Sequence, residues 1–245
     1  MKTSIKVIYL ATFFTGILIL CSSLVSSKAR ISDKQNSIEV MSTNTALSGN
    51  DKGGDTSMND SQMTLKLNMS KLWEDHITWT RNVILCIVDS LPGADQAVKR
   101  LLQNQTDIGN AIKPYYGEAA GKKLTELLAM YINTSADVVN SAKNSNITRL
   151  NEANKKWFEN ADDISAFLCK ANPIWALADV KKMMNQHLNL ITNEVVERIN
   201  KNYDAEIMAY DKVHDEILII SDVIAEGIIM QFPDKFKRGK LNYKR

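Results

Sequence analysis

Apolar residues recur at three- and four-residue intervals from Leu72 onward. Leu72, Trp73, Trp79, Val83, Cys86 and Ile87 share a stripe with His76 and Ser90. This is the pattern of an amphipathic helix, and Leu91-Pro92-Gly93 ends it. A second helix is predicted from about Ala94 to Ile112, stopping before Lys113-Pro114 because the residue ahead of a proline resists the helical region. A third runs from about Glu118 to Lys143, with Asn144-Ser145-Asn146 as the following turn. A fourth covers about Ile147 to Lys170, a fifth about Ala176 to Asn200, and a sixth about Asp204 to Gln231, closed by Phe232-Pro233. All four prolines lie near these junctions. Short connections imply antiparallel neighbours. The expected fold is therefore all-α: an up-and-down bundle of about six helices, arranged as three hairpins over residues 69–233.

The chain ahead of the bundle has a different pattern. Lys2 and Lys6 precede an uncharged run from Val7 to Leu20, which continues through Cys21, Leu24 and Val25 to Lys28. A charged start followed by an apolar stretch is the layout of a secretory signal, and Ser27 and Ala29 supply small residues for cleavage after Ala29. Residues 7–25 also approach the length of about 20 apolar residues that spans a bilayer, so an uncleaved anchor through the membrane is the alternative. Both readings of residues 1–29 place the domain outside the cytoplasm, as a membrane-anchored or secreted protein. Cys21 ends the apolar run where a lipid-modified cysteine would stand, but Leu20 before it departs from the small residue such signals carry. Residues 30–68, rich in Ser, Asn, Asp, Thr and Gly, show no apolar period and read as a flexible polar linker. Met63, Leu65, Leu67 and Met69 at its end form either a short strand or the approach to the first helix. Residues 234–245 carry Lys235, Lys237, Arg238, Lys240, Lys244 and Arg245 and read as a basic, disordered tail.

Charge adds little to this picture. Lys+Arg number 30 against Asp+Glu 28, a net charge of +2, which gives no field that favours nucleic acid as a partner. There is no Cys-x-x-Cys, no zinc framework, and no phosphate-binding, nucleophile-elbow or His-Glu-x-x-His motif, so the sequence specifies no reaction. Cys86 and Cys169 read as free thiols rather than a disulfide.

Two stretches resemble each other. Asn104-Gln105-Thr106-Asp107-Ile108, Pro114 and Lys122-Lys123 are echoed by Asn160-Ala161-Asp162-Asp163-Ile164, Pro173 and Lys181-Lys182. This is the pattern either of duplicated hairpins, with a fainter third copy in which His187 takes the place of His76 or Tyr131, or of amphipathic helices that share the same few residue types by chance. Through Trp73 to His76, Asp107 to Asn110, Asn160 to Ile164, and His187 with His214, the chain resembles a group of small bacterial exported helical-bundle proteins. That resemblance implies the fold and brings no activity, because no function is established for the group.

Candidate chemistry is confined to a polar layer. If the last two helices turn near Lys201, His187 and His214 lie at one depth, about 20 Å from the loop. The same reflection about the other turns places Tyr131 opposite Asn160, Asn160 opposite His187, and His76 opposite Asp107. Asp163 follows Asn160 by three residues and Asp211 precedes His214 by three, so each pair can share a helix face. Two functions follow. The first is a non-enzymatic binding or interaction protein of the cell envelope, taking an envelope partner or a small ligand between its helices. The second is a metal-binding bundle in which His187, His214, Asp211 and Asp163 hold a transition metal (Zn, Cu or Fe). A His76–Asp107 hydrogen bond, with Arg81 as a counter-ion nearby, is expected as an internal network.

Overall fold

A computed structural model describes residues 58–237. Its ordered elements are six helices, α1 (Asp60–Asp89), α2 (Ala94–Tyr116), α3 (Glu118–Lys143), α4 (Ile147–Ala171), α5 (Leu177–Ile199) and α6 (Tyr203–Gln231), followed by a 3-10 turn, Pro233–Phe236. Each helix packs on the next in sequence, and α6 returns to pack on α1, which closes the ring of an up-and-down bundle. The three hairpins are α1/α2, α3/α4 and α5/α6. The first helix of the first hairpin also touches the first helices of the other two, so α1, α3 and α5 meet toward the middle. The signal or anchor expected at residues 1–29, the early linker and the last basic residues lie outside the described residues. Among the described residues, no helix is long and apolar enough to cross a membrane.

Three boundaries differ clearly from the sequence expectation: the start of α1, the start of the tail and the end of α2. Helix α1 begins at Asp60, inside the segment read as linker. Asn59 caps it: its side chain accepts from the backbone N–H groups of Ser61 and Gln62, and Gln62 Oε1 accepts in return from Asn59 N–H at 3.0 Å. This reciprocal box satisfies donors that a helix start leaves orphaned. Leu65 and Met69, 5 % and 0 % exposed, then continue the buried stripe toward Trp73, so two apolar side chains at helical spacing outweigh the polar residues around them. At the other end, Phe236 is buried and stacks on Tyr115 at 5.7 Å, and Asn59 Nδ2 donates to its carbonyl. The first residues assigned to the tail therefore belong to the fold.

Helix α2 continues through Pro114 to Tyr116. A proline in the last turn forfeits one hydrogen bond at a point where the helix is about to end anyway. Gly117, at φ 86°, supplies the stop. Helices α2 and α3 then cross at very short range. A Cβ added at Gly109 would lie 2.6 Å from the carbonyl oxygen of Gly121, and one added at Gly121 would lie 2.6 Å from that of Gly109. Only two glycines allow this approach.

Candidate functional site: a polar layer at the end of an apolar cavity

Each hairpin contributes one ring to the centre of the bundle from its first helix: His76 from α1, Tyr131 from α3 and His187 from α5. All three are buried. The rings of His76 and His187 are 6.2 Å apart between centres, and those of Tyr131 and His187 6.3 Å. Behind each ring stands a polar residue of the hairpin's second helix, always at the same sequence distance. Gln105 Nε2 lies 3.2 Å from His76 Nδ1, 29 residues away, and Glu216 Oε2 accepts from His187 Nδ1 at 2.8 Å, again 29 residues away. Asn160 follows Tyr131 by the same interval. Asn160 Nδ2 donates to the Leu127 carbonyl one turn before Tyr131, just as Asn104 Nδ2 donates to the Leu72 carbonyl one turn before His76. The repeated spacing and repeated bonds give the first two hairpins a common design, and the His187–Glu216 pair extends it to the third.

The layer is only partly satisfied. Trp73 Nε1, Gln105 Oε1, Asn160 Oδ1 and Glu216 Oε1 are buried without a hydrogen-bond partner, and the buried Tyr131 hydroxyl has only the Trp157 indole N–H beside it. A folded domain usually leaves only a few such atoms, at about 1–3 kcal/mol each, so this layer is costly to bury. Electrostatics follow from burial. Desolvation, helped by the neighbouring His187, lowers the His76 pKa to about 3, so this ring is neutral at ordinary pH. Desolvation, reinforced by the charge of Glu216, raises the Tyr131 phenol well above its usual range.

An apolar cavity of about 40 Å³ runs from this layer toward the end of the bundle where α4 passes into α5. Along its wall, Trp73, His76, Tyr131 and His187 mark the inner end, with Met69, Ile108, Leu128 and Ile217 among the aliphatic residues. Of the lining side chains, Tyr116, Phe167, Ala171, Trp175 and Met183 are half-exposed and the others buried, which places the mouth between α2, α4 and the start of α5. A hydrogen-bonded frame holds that end. Tyr116 Oη donates to Gln231 Oε1 (2.9 Å), Gln231 Nε2 donates to the Ala171 carbonyl (3.0 Å), and Asn172 Nδ2 donates to Tyr116 Oη (3.2 Å). Partial burial pushes the Tyr116 pKa up to about 12, so its hydroxyl stays protonated as a donor. Trp175, on the α4–α5 connection, lies against Gly227 of α6, where an added Cβ would be 2.4 Å from the indole.

The expected metal set is not brought together. His187 faces Glu216, whereas His214 is half-exposed with Nε2 3.5 Å from Glu74 Oε1 and its ring 6.1 Å from Tyr210. Asp211 and Asp163 are exposed. Depth in a hairpin does not fix direction: His214 and Glu216 are two residues apart, about 200° around the helix, so only one of them can enter the layer. Among the described residues, no group of three or more His, Cys, Asp or Glu side chains is placed to hold a metal ion. The expected His76–Asp107 bond is also replaced. Gln105 is the partner of His76, and Asp107 accepts from Gln103 on its own helix at 3.0 Å. Cys86 and Cys169 are free thiols.

A second buried cluster lies toward the α5–α6 turn. Glu194 and Glu206, 0 % and 1 % exposed, flank Arg81, whose Nη1 lies 3.1 Å from Glu194 Oε1 and 2.5 Å from Glu206 Oε1. Arg198 bonds Asp89 and lies 3.6 Å from Glu206, and the Arg81 guanidinium sits 4.4 Å from the centre of the Tyr210 ring. Burial, against the opposing pull of Arg81, raises the Glu194 pKa to about 7. Sequence reasoning missed Glu194, Glu206 and Glu216, because a glutamate on an amphipathic helix looks like a solvated residue. The one signal available was the interval from His76 to Gln105, repeated from His187 to Glu216.

Fold and site together define a closed six-helix bundle with a polar layer at the inner end of an apolar cavity. No protein-family model, curated protein or solved structure matches the chain.

Proposed function

We propose that this chain is a non-enzymatic binding protein of the cell envelope that holds a small, largely apolar ligand between its helices. The observation that carries this reading is the cavity itself: a wholly apolar wall of aliphatic and aromatic side chains that ends against the rings of His76, Tyr131 and His187. Pockets of that composition, with few polar groups at fixed positions, are the usual form of small-molecule sites. The charged start and apolar run of residues 1–25 support delivery across a membrane, with the bundle either released after Ala29 or held at the surface by residues 7–25.

Size constrains the mechanism. The cavity volume of about 40 Å³ is several times smaller than the roughly 150 Å³ that accepts benzene in a protein core, so binding includes expansion of the wall. Met69, Met183 and Met184 are flexible enough to re-pack, and Trp175 stands on a connection rather than a helix.

Octyl iodide tests the reading, because its heavy atom quenches tryptophan emission at contact and Trp73 and Trp175 both line the cavity. Saturable quenching is expected, and Leu128→Phe, which fills the cavity, should abolish it while the helical circular-dichroism signal is retained. Quenching that stays linear in concentration, or is unchanged by the filled variant, would remove the basis for the proposal.

A further inference from the structure

The connection between α4 and α5 carries Pro173-Ile174-Trp175-Ala176-Leu177-Ala178, six residues without a polar side chain. Trp175 is half-exposed and the other five are exposed, Ile174 and Leu177 at 49 % and 45 %. Single exposed apolar residues are ordinary, but a contiguous run at one tip of a bundle has the form of an interaction surface. The buried Asn172 pins this tip from below. Its Oδ1 accepts from Ile174 N–H at 3.1 Å, its carbonyl accepts from Trp175 N–H at 3.2 Å, and its Nδ2 donates to Tyr116 Oη. The N–H groups of Ile174 and Trp175 are therefore paired within the protein, and Pro173 has none, which lowers the cost of taking this backbone out of water.

The up-and-down course brings the α2–α3 turn, the start of α1 and the end of α6 to the same end of the bundle. Positive charge collects there. Lys122, Lys123, Lys170, Lys182 and Lys235 are exposed and join no ion pair among the described residues, whereas Glu118 and Asp234 are taken up by Lys113 and Lys237. Asp60 and Asp179 are the carboxylates left in the terminal turns of this end. We propose that this end docks on an anionic lipid surface, with residues 173–178 entering the interface and the lysines meeting the headgroups. Lysines spread over four elements suit a diffuse sheet of negative charge rather than one acidic group. Tryptophan favours the level at which apolar chains meet headgroups, and an apolar face rimmed by lysines is the usual make-up of a surface-bound segment. The proposal stands whether or not the cavity holds a ligand, and it sets the mouth beside Trp175 against the lipid.

Full-length protein mixed with vesicles of acyl-chain-brominated phosphatidylcholine, with and without phosphatidylglycerol, tests this. Bromine quenches indole emission at contact, and the difference between the parent and Trp175→Phe isolates the signal of Trp175. That signal reports this tip alone, whatever residues 7–25 do at the bilayer. It should be quenched in anionic vesicles and far less in neutral ones. Lys170→Gln and Lys182→Gln should each lower the ratio of docked to undocked protein about fivefold, the effect of one lysine near a charged bilayer. Ile174→Ser combined with Leu177→Ser should abolish the quenching while the helical circular-dichroism signal is retained. Trp175 emission that stays unquenched in anionic vesicles would overturn the proposal and leave the tip to a protein partner. Equal quenching in neutral and anionic vesicles would remove the role of the lysines, and quenching unchanged by the serine pair would remove that of the loop; either result overturns it too.

Discussion

At the scale of single residues, the two buried clusters give the protein opposing responses to pH. In the folded state Glu194 holds its proton up to about pH 7, against about 4.5 when unfolded. The folded form therefore binds the proton more tightly in that window, and its contribution to stability is full below about pH 4.5 and is lost as pH rises through 7, by at most about 3 kcal/mol. Glu194→Gln should flatten the decline of the thermal midpoint between pH 4.5 and 7. His76 acts in the other direction. Its folded pKa of about 3 lies below the ordinary histidine value of 6.5, so the unfolded chain takes up a proton first and stability falls as pH drops from 6.5 toward 3. The two slopes oppose each other between pH 4.5 and 6.5, and below 4.5 only that of His76 remains. Melting curves of His76→Gln should accordingly lose the part of the decline that His76 adds as pH drops from 6.5 toward 3.

At the scale of elements, the α2–α3 crossing is the tightest packing constraint. A methyl group at Gly109 would fall 2.0 Å from Thr125 Oγ1 and 2.6 Å from the Gly121 carbonyl oxygen. The hydroxyl can rotate away, but the backbone oxygen cannot, so the helices must separate. Gly109→Ala should cost about 1–3 kcal/mol, the usual range for overpacking, and denaturant titration would measure it. A change below about 0.5 kcal/mol would mean that the crossing is looser than its geometry. The start of α1 shows how local and tertiary effects combine. The capping box of Asn59 and Gln62 sets where the helix begins, and burial of Leu65 and Met69 makes that first stretch part of the core.

At the scale of the whole molecule, access to the interior depends on the end where Trp175 meets α6. The indole fits because residue 227 has no side chain, and Gly227→Ala would drive a Cβ to within 2.4 Å of it. The expected outcome is displacement of Trp175: faster quenching by octyl iodide, a red-shifted emission and a lower thermal midpoint. Unchanged emission would show that Trp175 does not close the cavity.

Much of the fold was legible in the sequence because helical periodicity and turn residues are local. The stripe from Leu72 to Ile87, the breaks at Pro92 and Pro173, and the turn at Asn144-Ser145-Asn146 follow from side-chain pattern and backbone preference alone. Asn104 and Asn160, which the sequence set in parallel, each donate to a carbonyl of the preceding helix. Reflection about the turns gave the depth of His76, Tyr131 and His187 in the bundle, but not the direction in which their neighbours point. That direction turns by about 100° per residue and depends on how each helix is rotated in the ring. Tertiary structure therefore decided that Glu216 rather than His214 meets His187, that Gln105 rather than Asp107 meets His76, and that Arg81 lies between Glu194 and Glu206. It also decided that the polar layer ends an apolar cavity, because an enclosed space is a property of six packed helices and of no single stretch of chain.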